Sequence, residues 1–373
     1  MTAADVESAF GVYLHVPFCA KRCDYCAFAT WTDRGELVER YLRACRAEVE
    51  RAVVAGMPEP TSLFVGGGTP SLVPAEQLLA VLDRVPRRPD AEVTIECNPD
   101  TVTPALLAAY RAGGVNRLSF GVQSMVPHVL AALGRTHDPA NVRAAVVGAR
   151  DSGFASFNLD VIYGAVGESL DDWRRTLDEV VALDPPHVSA YALTVEPGTP
   201  LAADEARHPD DDEQADKYIL ATEALGAAGY DWYEISNWAK PGHECRHNLL
   251  YWEQGDYLGF GCAAHSHRAG RRWWNLRTPE RYLDAIESGT AAEGGAEELD
   301  KPTRDFERLE LALRTTQGVP TEALPTKELG DLVVVDGGRA VLTLRGRLLA
   351  SEVALRLRSA PDQTGGSTNT VPL

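Results

Sequence analysis

Eight residues constrain this chain more than any others: Cys19-Ala20-Lys21-Arg22-Cys23-Asp24-Tyr25-Cys26. Three thiols stand in a C-x₃-C-x₂-C run, close behind an apolar segment, Val12-Tyr13-Leu14-His15-Val16. Thiolates are soft ligands, and three in so short a loop suit an iron–sulfur cluster or zinc. A sealed structural site takes four protein ligands as a rule, and Phe28 stands where a further C-x-C step would place the fourth thiol. Three thiolates on a four-iron cubane leave one iron open to a small molecule. Two plainer readings compete. Zinc held by Cys19, Cys23, Cys26 and a histidine needs another donor, and His15 is a poor one if it lies on a strand. A disulfide framework is disfavoured by the odd number of clustered thiols and the length of the chain.

With 373 residues, 45% of them hydrophobic, the chain can bury one large core and a smaller domain. Its formal net charge of −18 disfavours nucleic acid or an anionic membrane as the main partner, since both need a basic footprint. No apolar run is long enough to predict a transmembrane helix. The opening residues Met1 to Asp5 lack the charged and apolar regions of a signal peptide. Seven unevenly spaced cysteines suit a reducing cytoplasm, where thiols bind metal rather than pair.

Periodicity predicts alternating strands and helices. Leu37, Tyr41, Cys45, Val49 and Val53 recur at helical spacing, so 36–55 reads as a helix closed by Gly56. Strands follow at 62–65, 93–96, 117–122, 157–163, 187–193 and 232–235. Helices between them start at Pro74, at the Thr103-Pro104 cap, at Pro139, at the Ser169-x-x-Asp172 box and near Glu213. Strands at intervals of about 30 residues argue for repeated βα units with right-handed crossovers. The expected fold class is α/β, closing as a barrel or partial barrel over residues 1–240, with sites at the C-terminal ends of the strands. Residues 241–300 form a connecting region without a clear period. Residues 301–358 read as a helix, a hairpin and a last helix at 348–357, a small winged-helix-like α+β domain. Residues 359–373 read as a disordered polar tail.

Four further polar features fall at the expected strand ends. Gly66-Gly67-Gly68-Thr69 alone reads as a plain turn, and no Gly-Lys-Ser/Thr follows to make it a phosphate loop. Glu96 ends a strand in Ile-Glu-Cys-Asn-Pro-Asp. Gln123 follows Phe120-Gly121-Val122, and Asp160 sits in Asn158-Leu159-Asp160-Val161-Ile162-Tyr163-Gly164. Each is as compatible with a structural role as with a ligand. Downstream, His247-Asn248-Leu249-Leu250-Tyr251-Trp252, Tyr257-x-Gly-x-Gly261 and His265-Ser266-His267 gather imidazoles and aromatic rings. Such a set suits a flat apolar macrocycle, and imidazole is a common axial ligand of haem iron.

The run from Tyr13 to Phe28, Y-L-H-V-P-F-C-x₃-C-x-Y-C-x-F, resembles the radical S-adenosylmethionine (SAM) enzymes, in the branch related to anaerobic coproporphyrinogen oxidase. The resemblance implies a [4Fe–4S] cluster on Cys19, Cys23 and Cys26, with SAM completing the open iron. It further implies a radical SAM partial (β/α) barrel. It assigns Gly67, Gly68 and Thr69 to the SAM amino end, Glu96, Gln123 and Arg135 to further SAM contacts, and Asp160 to the ribose. Tyr13 and Phe28 match residues packed around the cofactor. H-N-x-x-Y-W is similar to the signature of the haem chaperones of this branch, which makes His247 the implied haem ligand. Phe28 in place of a fourth cysteine, and the mere dozen residues before Tyr13, separate the chain from the oxidase. The expected function is therefore haem binding and delivery, with oxygen-independent coproporphyrinogen III oxidation as the alternative. Expected partners are haem, a haem-accepting protein and, if SAM is cleaved, an electron donor. Any membrane contact would be peripheral and through the acceptor.

Overall fold

A computed structural model describes residues 9–358, so the expected tail at 359–373 and the opening residues lie outside it. The chain divides into two compact units, 1–299 and 300–373.

The first unit begins with β1 (Phe10–Val16), which is buried on both faces except at Tyr13. That pattern belongs to a central parallel strand. There follow α1 (Val38–Val54), β2 (Ser62–Gly67), α2 (Ala75–Leu82), β3 (Glu92–Cys97), α3 (Pro104–Ala112), β4 (Arg117–Gln123), α4 (Pro127–Ala132), α5 (Pro139–Asp151), β5 (Ser156–Tyr163), α6 (Leu170–Ala182), β6 (His187–Ala192) and α7 (Asp211–Ala227). β1 to β6 lie side by side in chain order, all parallel. Local chemistry sets the boundaries. The Thr103 side chain accepts from Leu106 N, Asp138 from Ala140 N, and Ser169 and Asp172 close a capping box at α6.

The stretch after residue 230 holds more structure than its sequence suggests. β7 (Asp231–Glu234) and β8 (Asn237–Ala239) form an antiparallel pair, and β8 joins it to β6, again antiparallel. α8 (Arg246–Trp252) follows. β9 (Asp256–Phe260) then pairs parallel to the free edge of β1, and β10 (His265–Arg268), β11 (Arg271–Asn275) and β12 (Glu293–Glu298) extend that edge antiparallel, with α9 (Pro279–Glu287) between the last two. The result is one open twelve-stranded sheet whose middle is a six-stranded partial barrel. Among the described residues no helix is long and apolar enough to cross a membrane.

The second unit runs α10 (Lys301–Leu313), β13 (Val319–Pro320), α11 (Thr326–Leu329), β14 (Val333–Asp336), β15 (Arg339–Leu342), α12 (Leu344–Leu348) and α13 (Ala350–Ala354). Its strands form a small antiparallel sheet in the order β13-β15-β14. The single final helix expected over 348–357 is instead two short ones. Thr343 caps α12 through Gly346 N, and Leu349 leaves helical geometry between them.

Candidate functional site at the two ends of the partial barrel

At the C-terminal end of β1 the chain runs through Pro17 and Phe18 into the cysteine loop. Cys19 N donates to Trp31 O and Trp31 N to Pro17 O, which closes the loop at its base. Cys19, Cys23 and Cys26 are all half-buried free thiols. Burial and the neighbouring thiols push Cys19 and Cys26 above the usual thiol range, so a metal binding there displaces protons. Two donors aim at sulfur: Thr69 Oγ1 lies 3.7 Å from Cys19 Sγ, and Arg135 Nη1 lies 3.5 Å from Cys23 Sγ. Asp24 anchors the loop from outside. Its carboxylate pairs with Arg207 at 2.8 Å, and the same guanidinium donates to Ala132 O. Among the described residues no group of three or more His, Cys, Asp or Glu is placed to hold a single metal ion. Three separated thiols with donors directed at sulfur fit a polynuclear cluster, whose ligands bind different irons.

The Gly66–Thr69 turn packs beneath this loop. Gly68 N donates to Val16 O, and Thr69 N to Phe18 O. A Cβ on Gly68 would sit 2.6 Å from Phe18 O, and one on Gly67, at φ 110°, would sit 2.5 Å from the His15 ring. These glycines therefore serve close approach of β2 to β1, and their N–H groups already have partners. Gly67 N donates to Glu96 Oε2 at 3.1 Å. Burial, reinforced by the charge of Asp160, lifts the Glu96 carboxyl to about 8. Asp160 accepts from Ser119 Oγ and Asn158 Nδ2 and is also raised by burial. Two buried acids this near in charge invite a cationic ligand.

Gln123 and Arg135 carry a second sign of an intended ligand. Gln123 is a non-glycine residue at φ 64°, and its buried Oε1 has no hydrogen-bond partner. Arg135 donates through Nη2 to Gly121 O at 2.7 Å and leaves Nε buried without a partner. Phe28, by contrast, is 65% exposed.

Glu96, Asp160 and Tyr13 line a cavity within the partial barrel that opens to solvent. Its wall also includes Arg117, Ser119, Asn158, His187, Ser189 and Tyr191, none of which motif reading singles out. The signal is present in the sequence. Arg117 and Ser119, Asn158 and Asp160, and His187, Ser189 and Tyr191 alternate with apolar residues at strand period two, which places them on one face.

α8 forms the other end of the cavity. Arg246 N and His247 N donate to the Glu92 carboxylate at 3.3 and 3.2 Å, so an acid from the start of β3 satisfies the helix N-terminus. His247 is 1% exposed. Its Nδ1 bonds Ser62 Oγ and its Nε2 bonds Tyr251 Oη, both at 2.9 Å, while Phe64 stacks on the ring at 5.3 Å. Burial drives its pKa down to about 3. Gly11 of β1 faces this helix, and a Cβ there would overlap Leu250. His247 thus lies beside the first residues of β2 and β3. The cysteines lie beyond the last residues of β1. About 17 Å of strand, five steps of about 3.3 Å from Gly11 to Val16, separates the two levels.

With this geometry in view, the relatives are informative. Residues 13–180 match the family model of the radical SAM superfamily. A haem chaperone HemW of Mycobacterium tuberculosis is 45% identical over 93% of this chain and 94% of its own length. The HemW of Escherichia coli is 40% identical over 68% of this chain and 69% of its own. The chain belongs to the HemW family of radical SAM proteins. Its fold is that of coproporphyrinogen III oxidase (HemN) of Escherichia coli, a radical SAM enzyme, which superposes with a TM-score of 0.82 over 94% of this chain and 90% of the other at 24% identity. The HemW relationship therefore spans both compact units, whereas the radical SAM match covers the cysteine loop and the strands through β5 and ends within α6.

Proposed function

We propose that this protein is a cytoplasmic haem chaperone that holds a [4Fe–4S] cluster and SAM, binds haem as cargo and passes it to an acceptor protein. The observation that carries the reading is the full-length likeness to chains named haem chaperone, joined to a half-buried loop with three thiols and no fourth. Cys19, Cys23 and Cys26 hold the cluster, and Thr69 and Arg135 donate toward its sulfur ligands. The cluster supplies a low-potential electron and one iron for chelation. Glu96, Gln123 and Asp160 would bind the SAM side: the positive charge of the sulfonium favours the ionised form of Glu96, the orphaned Gln123 Oε1 accepts a hydrogen bond, and Asp160 takes the ribose hydroxyls.

His247, the implied haem ligand, meets iron in this reading only after the Tyr251 or Ser62 hydroxyl releases a ring nitrogen. An electron donor is needed only if SAM is cleaved. The test is anaerobic titration of the cluster-loaded protein with haem, beside an assay with coproporphyrinogen III. A Soret band at stoichiometric haem with no decarboxylation supports the proposal. Release of protoporphyrinogen would transfer the chain to the oxidase class.

A further inference from the structure

Arg117, the first residue of β4, is a buried cation without an acid of its own. It is 2% exposed and lines the cavity. Its Nη1 donates to Ser156 Oγ at 2.8 Å and to His243 O at 2.9 Å. Among the described residues it makes no ion pair, and its Nε and Nη2 have no hydrogen-bond partner. Those two nitrogens form one edge of the guanidinium, the kind of edge a carboxylate engages with both oxygens. A charge held out of water is costly unless an anion or enough hydrogen bonds answer it, and here a whole edge is left over.

The ionisable groups around Arg117 do not supply the missing anion. His187 and His243 are held below the usual imidazole range, by burial first and then by the Arg117 charge. The Glu92 carboxylate already accepts from Arg246 N, His247 N and the Cys245 thiol. Glu96 stands level with Ser119, two residues further along β4, and burial keeps it protonated up to about 8. Asp160 stands level with Gly121, about 13 Å along the strand from Arg117. It is raised by burial, and Arg117 is the last of the influences that oppose the rise.

Strand register ties the free edge to α8. Tyr13, Phe64, Thr94 and Arg117 pair in turn across β1 to β4, so they form one row on one face, and all four line the cavity. Phe64 stacks on the His247 ring at 5.3 Å. Arg117 lies two strand spacings from Phe64, about 10 Å. Asn248, next to His247 on α8, lines the same cavity, and its carboxamide has no hydrogen-bond partner among the described residues.

We propose that the free edge of Arg117, with the Asn248 carboxamide, binds a carboxylate, and that this carboxylate is a propionate arm of the haem whose iron goes to His247. The inference rests on the haem-chaperone reading and deepens it. Ser156 and the His243 carbonyl hold Nη1, so the donor edge is set before haem arrives. A propionate there answers the buried charge and fixes the rotation of the macrocycle about its axial bond.

The test compares haem with its dimethyl ester, in which both propionates are neutral, by Soret titration of the full-length, cluster-loaded protein. Wild type is expected to bind haem at least about tenfold more tightly than the ester, as hydrogen bonds between charged groups allow. Arg117→Gln is expected to bring the two affinities to nearly the same value by weakening haem, and Arg117→Lys to keep part of the preference. The Soret position, set by the axial donor, is expected to stay unchanged. Arg117 also ties down the loop before α8, and a purely structural role of that kind would weaken haem and ester alike, which overturns the assignment. Equal affinities in wild type overturn it too, without recourse to any variant, as does a preference that survives Arg117→Gln. Sodium propionate is expected to leave the wild-type melting temperature unchanged. A rise that Arg117→Gln abolishes, with no preference for haem over ester, would give the edge to a small free carboxylate and overturn the haem assignment. Failure of wild type to bind haem or ester at all overturns the chaperone reading together with this one.

Discussion

At the scale of single residues, the site is legible where chemistry is scarce in the sequence and obscure where it is common. The cysteine triad stands out because three thiols at that spacing suit little besides a metal centre. Glu96 and Asp160 stand out only through their strand-end positions, and their burial then gives them a use. Glu96 is protonated at pH 7 when its carboxyl titrates near 8. A cationic ligand lowers that value, so binding must expel a proton. SAM binding at pH 7, measured by calorimetry in buffers of different ionisation enthalpy, is expected to release close to one proton fewer in Glu96→Gln than in wild type. The same raised carboxyl has a stability consequence. The folded state holds a proton that the unfolded chain loses above about 4.5, so Glu96 makes stability fall as pH rises from about 4.5 to 8. Glu96→Gln should flatten that part of the denaturation profile of the ligand-free protein. The glycines carry a different lesson. Whatever ligand Gly67 and Gly68 meet, they also serve the fold, since a Cβ on either would run into the His15 ring or the Phe18 backbone. Gly67→Ala should therefore destabilise the fold by about 1–3 kcal/mol, read from chemical denaturation, before any question of SAM affinity arises.

At the scale of elements, regular helices and consecutive parallel strands announce themselves through caps and period, as α1, α3 and α6 show. The edge extension does not. β10 and β11 are four and five residues long and carry charged and aromatic residues on both faces, so no alternation marks them. α8 packs its histidine inward, where His247, Asn248 and Tyr251 line the cavity, because Gly11 lets the helix dock and Glu92 holds its first turn. The His247 ring, with a pKa near 3, is neutral when folded and gains a proton in the unfolded chain below about 6.5. The docking it supports is fully present above pH 6.5 and weakens as pH falls toward 3. Hydrogen exchange of the α8 amides should accelerate between pH 7 and pH 5, after correction for intrinsic rates, more steeply than exchange in α6. Equal protection of the two helices across that range would show that His247 does not control α8.

At the scale of the whole molecule, the six parallel strands position two kinds of chemistry at two levels of one sheet. Thiols and buried acids gather toward the strand ends, while the His247 imidazole lies beside the strand starts. The net charge of −18 leaves little reason for the chain to hold nucleic acid, and many of its positive side chains are paired with acids, as Arg207 is with Asp24 and Arg271 with Glu293. The barrel is legible in the sequence because each βα unit repeats a local pattern. The polar cavity is not, because its side chains are spread over several strands and meet only in space.

Everything proposed for this protein depends on a cluster with one iron left for a small ligand. The most direct measurement is electron paramagnetic resonance of the anaerobically reconstituted, reduced protein before and after SAM is added. The expected result is a [4Fe–4S]⁺ signal that changes on SAM addition and is lost in Cys23→Ser. A signal indifferent to SAM, or one that survives in Cys23→Ser, would contradict it.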